Sequence, residues 1–268
     1  SIVAGGFVGT ETVTATGSAV ALTSANVGTY TTSVNYTLAD GSNGGLMGNY
    51  SLAASTGVQA IVTPKGLTIT GVVASNRDYD GTTIAGLTTG ALDGVIPADT
   101  MVVLTQGTGA FTIKDVGTGI TVTASGFALT GTGSGNYTLT AQPSGLTANI
   151  TQKAVTITGV TTSNRVYDGT TVAVLTTGTL QGVISSETAV ISLTQGMGVF
   201  ADKNVGTNKA VTISGFALGG TGISNYSLTQ PTVANVNITA RALTITANNQ
   251  TIAHPGSLAV APSLGTTA

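Results

Sequence analysis

Two stretches of nine residues carry the side chains that could bind a metal ion: SNRDYDGTT at 75–83 and SNRVYDGTT at 163–171. In the first, Asp78 stands two residues before an Asp-Gly pair, the D-x-D-G pattern that opens calcium-binding loops. The second copy has Val166 at that position, and no glutamate follows at the spacing of an EF-hand loop. The pattern favours a structural turn, and we predict no metal site.

The same residues are suited to a braced turn. An Asp-Gly pair tolerates the left-handed backbone of a tight turn, and the tyrosine before it offers a rigid ring with a hydroxyl that can reach a partner. Because the arginine and the second aspartate recur in both copies, we predict an ion pair across each turn. The residues predicted to form this structural motif are Arg77, Tyr79, Asp80, Gly81, Arg165, Tyr167, Asp168 and Gly169.

Catalytic constellations have little support. The chain has no cysteine and one histidine, so no Ser–His–Asp or Cys–His arrangement could recur in each copy. Asp99 and Glu187 stand 88 residues apart at equivalent positions, but a glycosidase needs two carboxylates that face one sugar. They also recur together with Lys114 and Lys203 and with Asp115 and Asn204, which are the ingredients of an isopeptide crosslink assisted by a carboxylate. Adjacent strand residues point to opposite faces, however, so Lys114 cannot crosslink with its own neighbour. We predict that the chain is not an enzyme and binds no cofactor.

Composition excludes two classes of partner. Only 7% of the 268 residues are charged and the net charge is −2, which provides no basic face for nucleic acid or for an anionic membrane. The sequence also has no apolar run of the roughly 18 residues that a membrane-spanning helix needs. We expect no nucleic-acid partner and no membrane insertion.

The strongest pattern is an internal repeat of 88 residues. KGLTITGVVASNRDYDGTT at 65–83 and KAVTITGVTTSNRVYDGTT at 153–171 match at 14 of 19 positions, and the opening returns as RALTIT at 241–246. The second half of the unit also precedes the first full copy. We predict a partial unit at 1–64, full units at 65–152 and 153–240, and an opening or donated strand within 241–268.

Strand periodicity dominates each unit. Segments such as LTIT, ITVTAS and AVTIS alternate apolar and polar residues, as half-buried strands do. Turn pairs such as DG, TG and GN recur every 8–12 residues, which suits about seven strands in a sandwich. We predict an all-β fold of tandem small Ig-like β-sandwiches of about 88 residues. Since no flexible spacer separates the units, we expect them to form a rod.

The order LTITG…SNRxYDGTT…DVGTG…SGFALTG…GNYTLT…ANITQK resembles the YDG repeat of very large bacterial haemagglutinin-like surface adhesins of the two-partner-secretion type. The resemblance covers 65–240 and the second half of the unit within 1–64. The tail RALTITANNQTIAHPG lacks the motif and is more similar to the start of the related MBG-type module. The resemblance implies an extracellular stalk or fibre on a bacterial surface, without an assigned ligand.

Two functions remain open at this point. The first is a structural stalk or fibre repeat that associates with neighbouring repeats or with copies of itself. The second is a ligand-binding adhesin module that recognises a carbohydrate or a protein of a host or neighbouring cell, for which the unmatched loop TLADGSNGGLMGN at 37–49 is the best candidate. Copying of the units favours the first, because a binding tip is usually unique.

The two ends of the chain are complementary. Residues 1–64 lack the opening strands of a unit, and 241–268 begin with one. Two arrangements would account for this: the chain is a segment of a longer array, or Leu243 and Ile245 of one copy complete the partial unit of the next by strand addition. A contact of this kind does not close on itself and builds a head-to-tail filament.

Large aromatic residues are few, so we expect each to be an anchor of its unit. Equivalent positions in the two full units should be buried alike. The pairs predicted to be largely buried are Tyr79 with Tyr167, Phe111 with Phe200, and Phe127 with Phe216.

Overall fold

The computed structural model describes residues 5–246, which fold almost entirely as β-structure. About 47% of the described residues lie in strands, which form several small sheets, and the same residues contain no α-helix. Single turns of 3-10 helix lie at Met47–Asn49, Ser134–Asn136, Ser185–Glu187 and Ile223–Asn225. Residues 5–246 hold no helix with the length and apolar character needed to cross a membrane. The predicted all-β class with tandem domains is confirmed.

The chain divides into two compact units. Unit 1 comprises residues 1–77 and 82–150, and unit 2 comprises residues 78–81 and 151–268. The segment Asp78–Gly81, which carries the tyrosine turn of the first repeat, therefore folds with unit 2 and not with the residues that flank it. The repeat pattern alone did not predict this crossing.

Unit 1 begins with a three-stranded antiparallel sheet. Its strands are β1 (Val13–Ala19), β2 (Gly28–Asp40) and β3 (Ser55–Val62), in the order β1-β2-β3. β2 has 13 residues and pairs with β1 along its second half and with β3 along its first. Among the described residues, no strand pairs with the other edge of β3. The N-terminal partial repeat is thus a sheet with an open edge.

The first full repeat contributes short strands that form three sheets. Their order is β5-β13-β10-β9-β6 in the largest sheet, β12-β4-β7 in the second and β11-β8 in the third, and their bounds are β4 (Lys65–Thr70), β5 (Arg77–Asp78), β6 (Ile84–Ala85), β7 (Ala91–Asp93), β8 (Val103–Thr105), β9 (Thr108–Phe111), β10 (Gly117–Ser125), β11 (Ala128–Thr130), β12 (Tyr137–Leu139) and β13 (Leu146–Thr151).

The second full repeat follows the same plan in unit 2. Its sheets have the orders β17-β14-β23, β15-β24-β20, β16-β19-β21 and β18-β22, and the bounds are β14 (Lys153–Thr158), β15 (Arg165–Val166), β16 (Val172–Ala173), β17 (Thr179–Gln181), β18 (Ile191–Thr194), β19 (Met197–Phe200), β20 (Gly206–Lys209), β21 (Val211–Ser214), β22 (Ala217–Gly220), β23 (Tyr226–Leu228) and β24 (Val236–Thr239).

The strands are shorter and more numerous than the predicted seven per repeat. One cause is a bulge at each DVGTG or NVGTN segment, where a strand begins. In the first repeat, the register of β10 on β13 shifts between Gly117 and Ile120. In the second, Asn208 has a φ of 54° and the register of β20 on β24 shifts between Gly206 and Lys209. An extra residue in one strand bends it and interrupts its ladder.

Parallel pairing closes each full repeat. The opening strand β4 pairs with β12 in the register Tyr137↔Lys65, and β14 pairs with β23 in the register Tyr226↔Lys153. Parallel neighbours need a long connection between them, so this pairing ties the start of each repeat to its end. Leu67 and Val155, in the middle of the opening strands, are 0% exposed.

Phenylalanines form the largest apolar anchors of the described residues. Gln142 holds the backbone of Phe127, because its amide accepts from the Phe127 N–H at 2.9 Å and donates to the Phe127 carbonyl at 3.0 Å. Gln230 holds Phe216 in the same way. The predicted burial of the four repeat phenylalanines is confirmed, with exposures of 3% for Phe111, 4% for Phe127, 2% for Phe200 and 4% for Phe216.

Truncation of Phe200 tests the core of the second repeat. The ring packs in a cluster with Ala173, Val236 and Ile238, so we expect Phe200→Ala to lower the free energy of unfolding by about 3–5 kcal/mol. Val174→Ala is the matched control, since Val174 is 81% exposed and surface truncation changes stability by less than about 0.5 kcal/mol. Chemical denaturation measures both variants. Equal stabilities would contradict the assigned core.

Candidate functional site

The two tyrosine turns have the same backbone geometry. Each follows a two-residue strand, and its tyrosine N–H donates to a carbonyl at the end of the last strand of the repeat. The distance is 2.8 Å from Tyr79 to Thr151 and 2.8 Å from Tyr167 to Thr239. The glycine that ends the motif has a φ of 78° at residue 81 and 83° at residue 169, a left-handed conformation that glycine adopts without strain.

Arg165 braces the second turn from within. Its guanidinium bonds to the Asp168 carboxylate at 2.8 Å, to the Val172 carbonyl at 2.7 Å, and to both the hydroxyl and the carbonyl of Thr170. Its carbon also lies 5.0 Å from the centre of the Phe200 ring, a cation–π contact. The Thr170 N–H, with Arg165 as a smaller contribution, holds the pKa of Asp168 below its usual value. The ion pair predicted for this turn is confirmed.

Arg77 makes matching contacts in the first repeat. Its guanidinium donates to the Thr82 hydroxyl at 3.1 Å and to the Thr82 carbonyl, and its carbon lies 5.1 Å from the centre of the Phe111 ring. Asp80 is exposed. The arginine of the motif is a structural residue in both copies.

Tyr79 is buried inside unit 2, with 1% of its surface exposed. Its ring meets the ring of Tyr226 edge to face, with centroids 5.6 Å apart and an interplanar angle of 80°. Its hydroxyl donates to Glu187 Oε1 at 2.6 Å, and the Tyr226 hydroxyl donates to Glu187 Oε2 at 2.7 Å. One carboxylate therefore binds two phenolic hydroxyls, one through each oxygen.

The close approach of Gly81 completes this contact. A methyl group on Gly81 would lie 3.4 Å from Ile184 Cδ1 and 3.8 Å from Glu187 Oε1. The Ile184 N–H in turn donates to the Tyr226 hydroxyl at 3.3 Å. The tyrosine and the glycine of the motif therefore contact one group of three residues, Ile184, Glu187 and Tyr226. We call these three residues the acceptor site.

The acceptor site keeps the Tyr226 hydroxyl protonated. Burial, together with the hydrogen bond to Glu187, raises the pKa of Tyr226 to about 12. A protonated phenol donates, and a carboxylate accepts. Tyr226 therefore donates a hydrogen bond to Glu187 and is not an activated nucleophile at neutral pH.

Equivalent acceptor residues occur in the two preceding repeats. In the first full repeat, Tyr137 donates to Asp99 and accepts from the Ile96 N–H at 3.2 Å. In the partial repeat, Tyr50 donates to Glu11 at 2.7 Å and accepts from the Val8 N–H at 3.2 Å. Sequence reasoning found the equivalence of Asp99 and Glu187, and it found the recurring GNY and SNY triplets, but it did not connect them. Asp99 and Glu187 each stand 34 residues after the first residue of the opening strand, and the tyrosines stand 72 and 73 residues after it; this near-constant spacing was the available signal.

The prediction that Tyr167 is buried like Tyr79 was wrong. Tyr167 is only partly buried and packs at the edge of the cluster around Phe200. A methyl on Gly169 would meet no described atom within 4 Å, whereas Gly81 faces Ile184. Tyr79, by contrast, is covered by Glu187 and Tyr226, which lie in the following repeat.

The comparison with protein families explains the repeated motif. A family model described as the YDG domain matches residues 63–145 and again residues 151–234. The chain belongs to the YDG domain family. The comparisons with curated proteins and with solved structures found no match.

This match corrects the resemblance drawn from the sequence. It supports a YDG domain present twice, a name shared with the SRA-YDG domain that binds DNA and 5-methylcytosine. It does not support a repeat of bacterial haemagglutinin-like adhesins with an MBG-like start at the C-terminus, and that identification was wrong. The motif letters identify a domain, but they carry no information on the kind of protein that contains it.

Within unit 1, the first YDG domain is joined to the partial repeat by an amide clasp. The Asn136 side chain accepts from the Val27 N–H at 2.9 Å and donates to Asn26 Oδ1 at 2.8 Å. Asn136 directly precedes the acceptor tyrosine Tyr137, so the clasp lies beside the acceptor site. The equivalent Asn225 is 2% exposed in unit 2.

Leu243 and Ile245, the predicted strand donors, lie in residues 241–246, which form no strand in the structure. Leu243 is 86% exposed and Ile245 is 68% exposed. The rest of the predicted tail, 247–268, lies outside the described residues. Within residues 5–246 no group of three or more His, Cys, Asp or Glu side chains could hold a metal ion.

Replacing each YDG tyrosine with phenylalanine tests whether its hydroxyl contributes to stability in the same way in the two turns. Tyr79→Phe deletes a 2.6 Å bond to a carboxylate in a buried site, and we expect it to lower the free energy of unfolding by about 1.5–3 kcal/mol. Tyr167→Phe is the matched control and should change it by less than about 0.5 kcal/mol. Urea denaturation compares them. A loss of equal size in both variants would show that the Glu187 contact is not the cause.

High pH should weaken unit 2 through Tyr226. Its pKa is about 12 in the folded chain and about 10 when unfolded. Because the folded pKa is the higher, the stabilisation is complete below pH 10 and is lost as the pH rises from about 10 to 12. The melting temperature should therefore fall more steeply over this range in the wild-type chain than in Tyr226→Phe. Identical slopes would contradict this protonation of the site.

Proposed function

We propose that the chain is a structural repeat protein, a stalk or fibre segment in which the YDG motif holds successive domains together. The observation that carries the proposal is the placement of Tyr79. It belongs to the first matched domain, yet it is 1% exposed within unit 2, and its hydroxyl binds Glu187. The Tyr-Asp-Gly motif of the first domain thus contacts the second domain of the same chain.

This use of the motif leaves little of it to bind a separate ligand. The arginines stack on Phe111 and Phe200 and bond to their own turns. The glycine of the first motif packs on Ile184. A location on the outside of a bacterial cell, which a stalk implies, stays a prediction that protease treatment of intact cells can test.

We further propose that copies join head to tail by strand addition. In both full repeats the opening strand pairs in parallel with the strand that starts at the acceptor tyrosine. The partial repeat has the tyrosine segment, Tyr50–Ser51–Leu52, but these residues form no strand. The register of the full repeats places Arg241 opposite Tyr50 and Leu243 opposite Leu52 in a neighbouring copy.

Burial of the donated strand would supply the driving force. Leu243 is equivalent to Leu67 and Val155, which are 0% exposed, yet it is itself 86% exposed. Leu52, on the accepting side, is 48% exposed. Full burial of a leucine side chain is worth about 1.5–3 kcal/mol, and the added ladder satisfies backbone groups on both strands.

A double substitution tests the filament. Leu243→Asp with Ile245→Asp places charges on the face that would be buried, so we expect the self-association of the wild-type chain at high concentration to be lost. Val174→Asp is the matched control at an exposed valine of unit 2. Sedimentation velocity and electron microscopy give the readout. Fibres of unchanged appearance from the double variant would refute strand donation.

The alternative, a ligand-binding module, has weaker support. The candidate loop at 37–49 is tied down by its own chain, because Met47 N–H donates to Asp40 at 2.7 Å and the Asn43 amide donates to the Thr10 carbonyl at 2.8 Å. DNA binding, which the shared domain name would suggest, needs clustered cations. The chain has eight lysines and arginines, and Lys209 is paired with Asp202. We propose no nucleic-acid partner.

A further inference from the structure

We propose that the acceptor site of the first full repeat, formed by Ile96, Asp99 and Tyr137, binds a second YDG segment: an extended Arg-x-Tyr-Asp-Gly strand and turn of a further YDG domain. The inference rests on the proposed function only in treating the motif as a joint. It adds a binding site, a ligand class and a register.

The filled site of unit 2 is the template. There, Glu187 receives Tyr226 on one oxygen and Tyr79 on the other. In unit 1, Asp99 Oδ2 receives Tyr137, and no donor among the described residues bonds to Asp99 Oδ1. The second oxygen of the carboxylate is therefore the position where a further tyrosine hydroxyl would bind.

The exposure of the equivalent isoleucine also differs between the filled site and the site at Asp99. Ile184, covered by Gly81, is only partly exposed, whereas its equivalent Ile96 is 47% exposed. The exposed Ile96 side chain could pack on the glycine of a YDG turn, and the second oxygen of the Asp99 carboxylate could accept the hydroxyl of its tyrosine. The site does not suit a free cation, because it contains one carboxylate only.

The edge of β3 provides the backbone half of the site. In unit 2, β15 pairs in parallel with β24 in the register Arg165↔Ile238 and Val166↔Thr239. The equivalent strand in the partial repeat is β3 with the residue that follows it, and its edge is unpaired among the described residues. The same register places the arginine of the segment opposite Val62 and its tyrosine N–H at the Thr63 carbonyl.

A third copy of the site shows how the position can be filled locally. In the partial repeat, Tyr50 bonds to Glu11 like its equivalents. There, Phe7 meets the Tyr50 ring edge to face, with centroids 5.9 Å apart and an angle of 71°. This contact resembles that of Tyr79 on Tyr226. An aromatic ring thus packs against the acceptor tyrosine in two of the three copies, and the site at Tyr137 in the first full repeat is the one suited to an external ring.

Titration with a synthetic peptide, SNRDYDGTT, tests the proposal. We expect backbone amide shifts in nuclear magnetic resonance spectra at Ile96, Asp99 and Val62, saturating with peptide. Loss of the phenol in the Tyr79→Phe peptide should weaken binding about tenfold, as removal of one hydrogen bond to a charged group does. Using the Leu243→Asp, Ile245→Asp chain removes any dependence on filament formation, so failure of either proposal can be told from failure of the other.

Matched substitutions in the protein complete the experiment. Asp99→Asn should weaken binding of the SNRDYDGTT peptide to a similar degree. Ile96→Arg leaves the Tyr137 hydrogen bond to Asp99 in place and should prevent the peptide turn from binding. Asp93→Asn is the control at an exposed carboxylate of the same repeat and should bind like the parent. Absence of shifts at millimolar peptide, equal binding of the phenylalanine peptide, or insensitivity to both Asp99→Asn and Ile96→Arg would each overturn the site.

Discussion

The Glu187 carboxylate accepts two tyrosine hydroxyls, and much of unit 2 is organised by that contact. A buried phenol needs a hydrogen-bond partner, because an unsatisfied hydroxyl in an apolar setting costs up to several kcal/mol. Two such phenols meet at Tyr79 and Tyr226, and one carboxylate satisfies both. As a result Tyr79 is fixed to residues more than a hundred positions away, and Asp78–Gly81 belong to unit 2 although they follow a strand of the first repeat.

A chain with few charges satisfies its remaining polar groups with neutral side chains. Gln142 and Gln230 bond to both backbone groups of a phenylalanine. Thr88 accepts from the Val73 N–H at 2.7 Å and donates to the Gly71 carbonyl at 2.9 Å, and Thr176 repeats this arrangement. Such contacts replace ladder bonds where strands are interrupted, which explains how many strands of two to four residues can form a stable domain.

Parallel closure of the repeats links fold and assembly. Because the opening strand pairs with a strand at the far end of its own repeat, a repeat that lacks either part has an unmatched apolar strand. The partial repeat has the late strand segment and residues 241–246 have the early one. The first YDG turn is likewise held by an acceptor in another repeat, because Tyr79 bonds to Glu187. Natural sheet edges are seldom left open, which is the physical basis of the proposed head-to-tail assembly.

The sequence alone determined the all-β class, the 88-residue repeat and the buried phenylalanines, because alternation and repetition can be read directly from the order of the residues. It also predicted the Arg165–Asp168 ion pair, since those residues are three apart in a turn. Only the tertiary structure decided that Tyr79 and Tyr167 differ, that Asp99 and Glu187 bind phenols, and that strand pairing within a repeat is partly parallel. These features join residues about 40 to more than 100 positions apart. The energy of such a contact depends on burial and on the residues of the neighbouring repeat, and two identical motifs can differ in both.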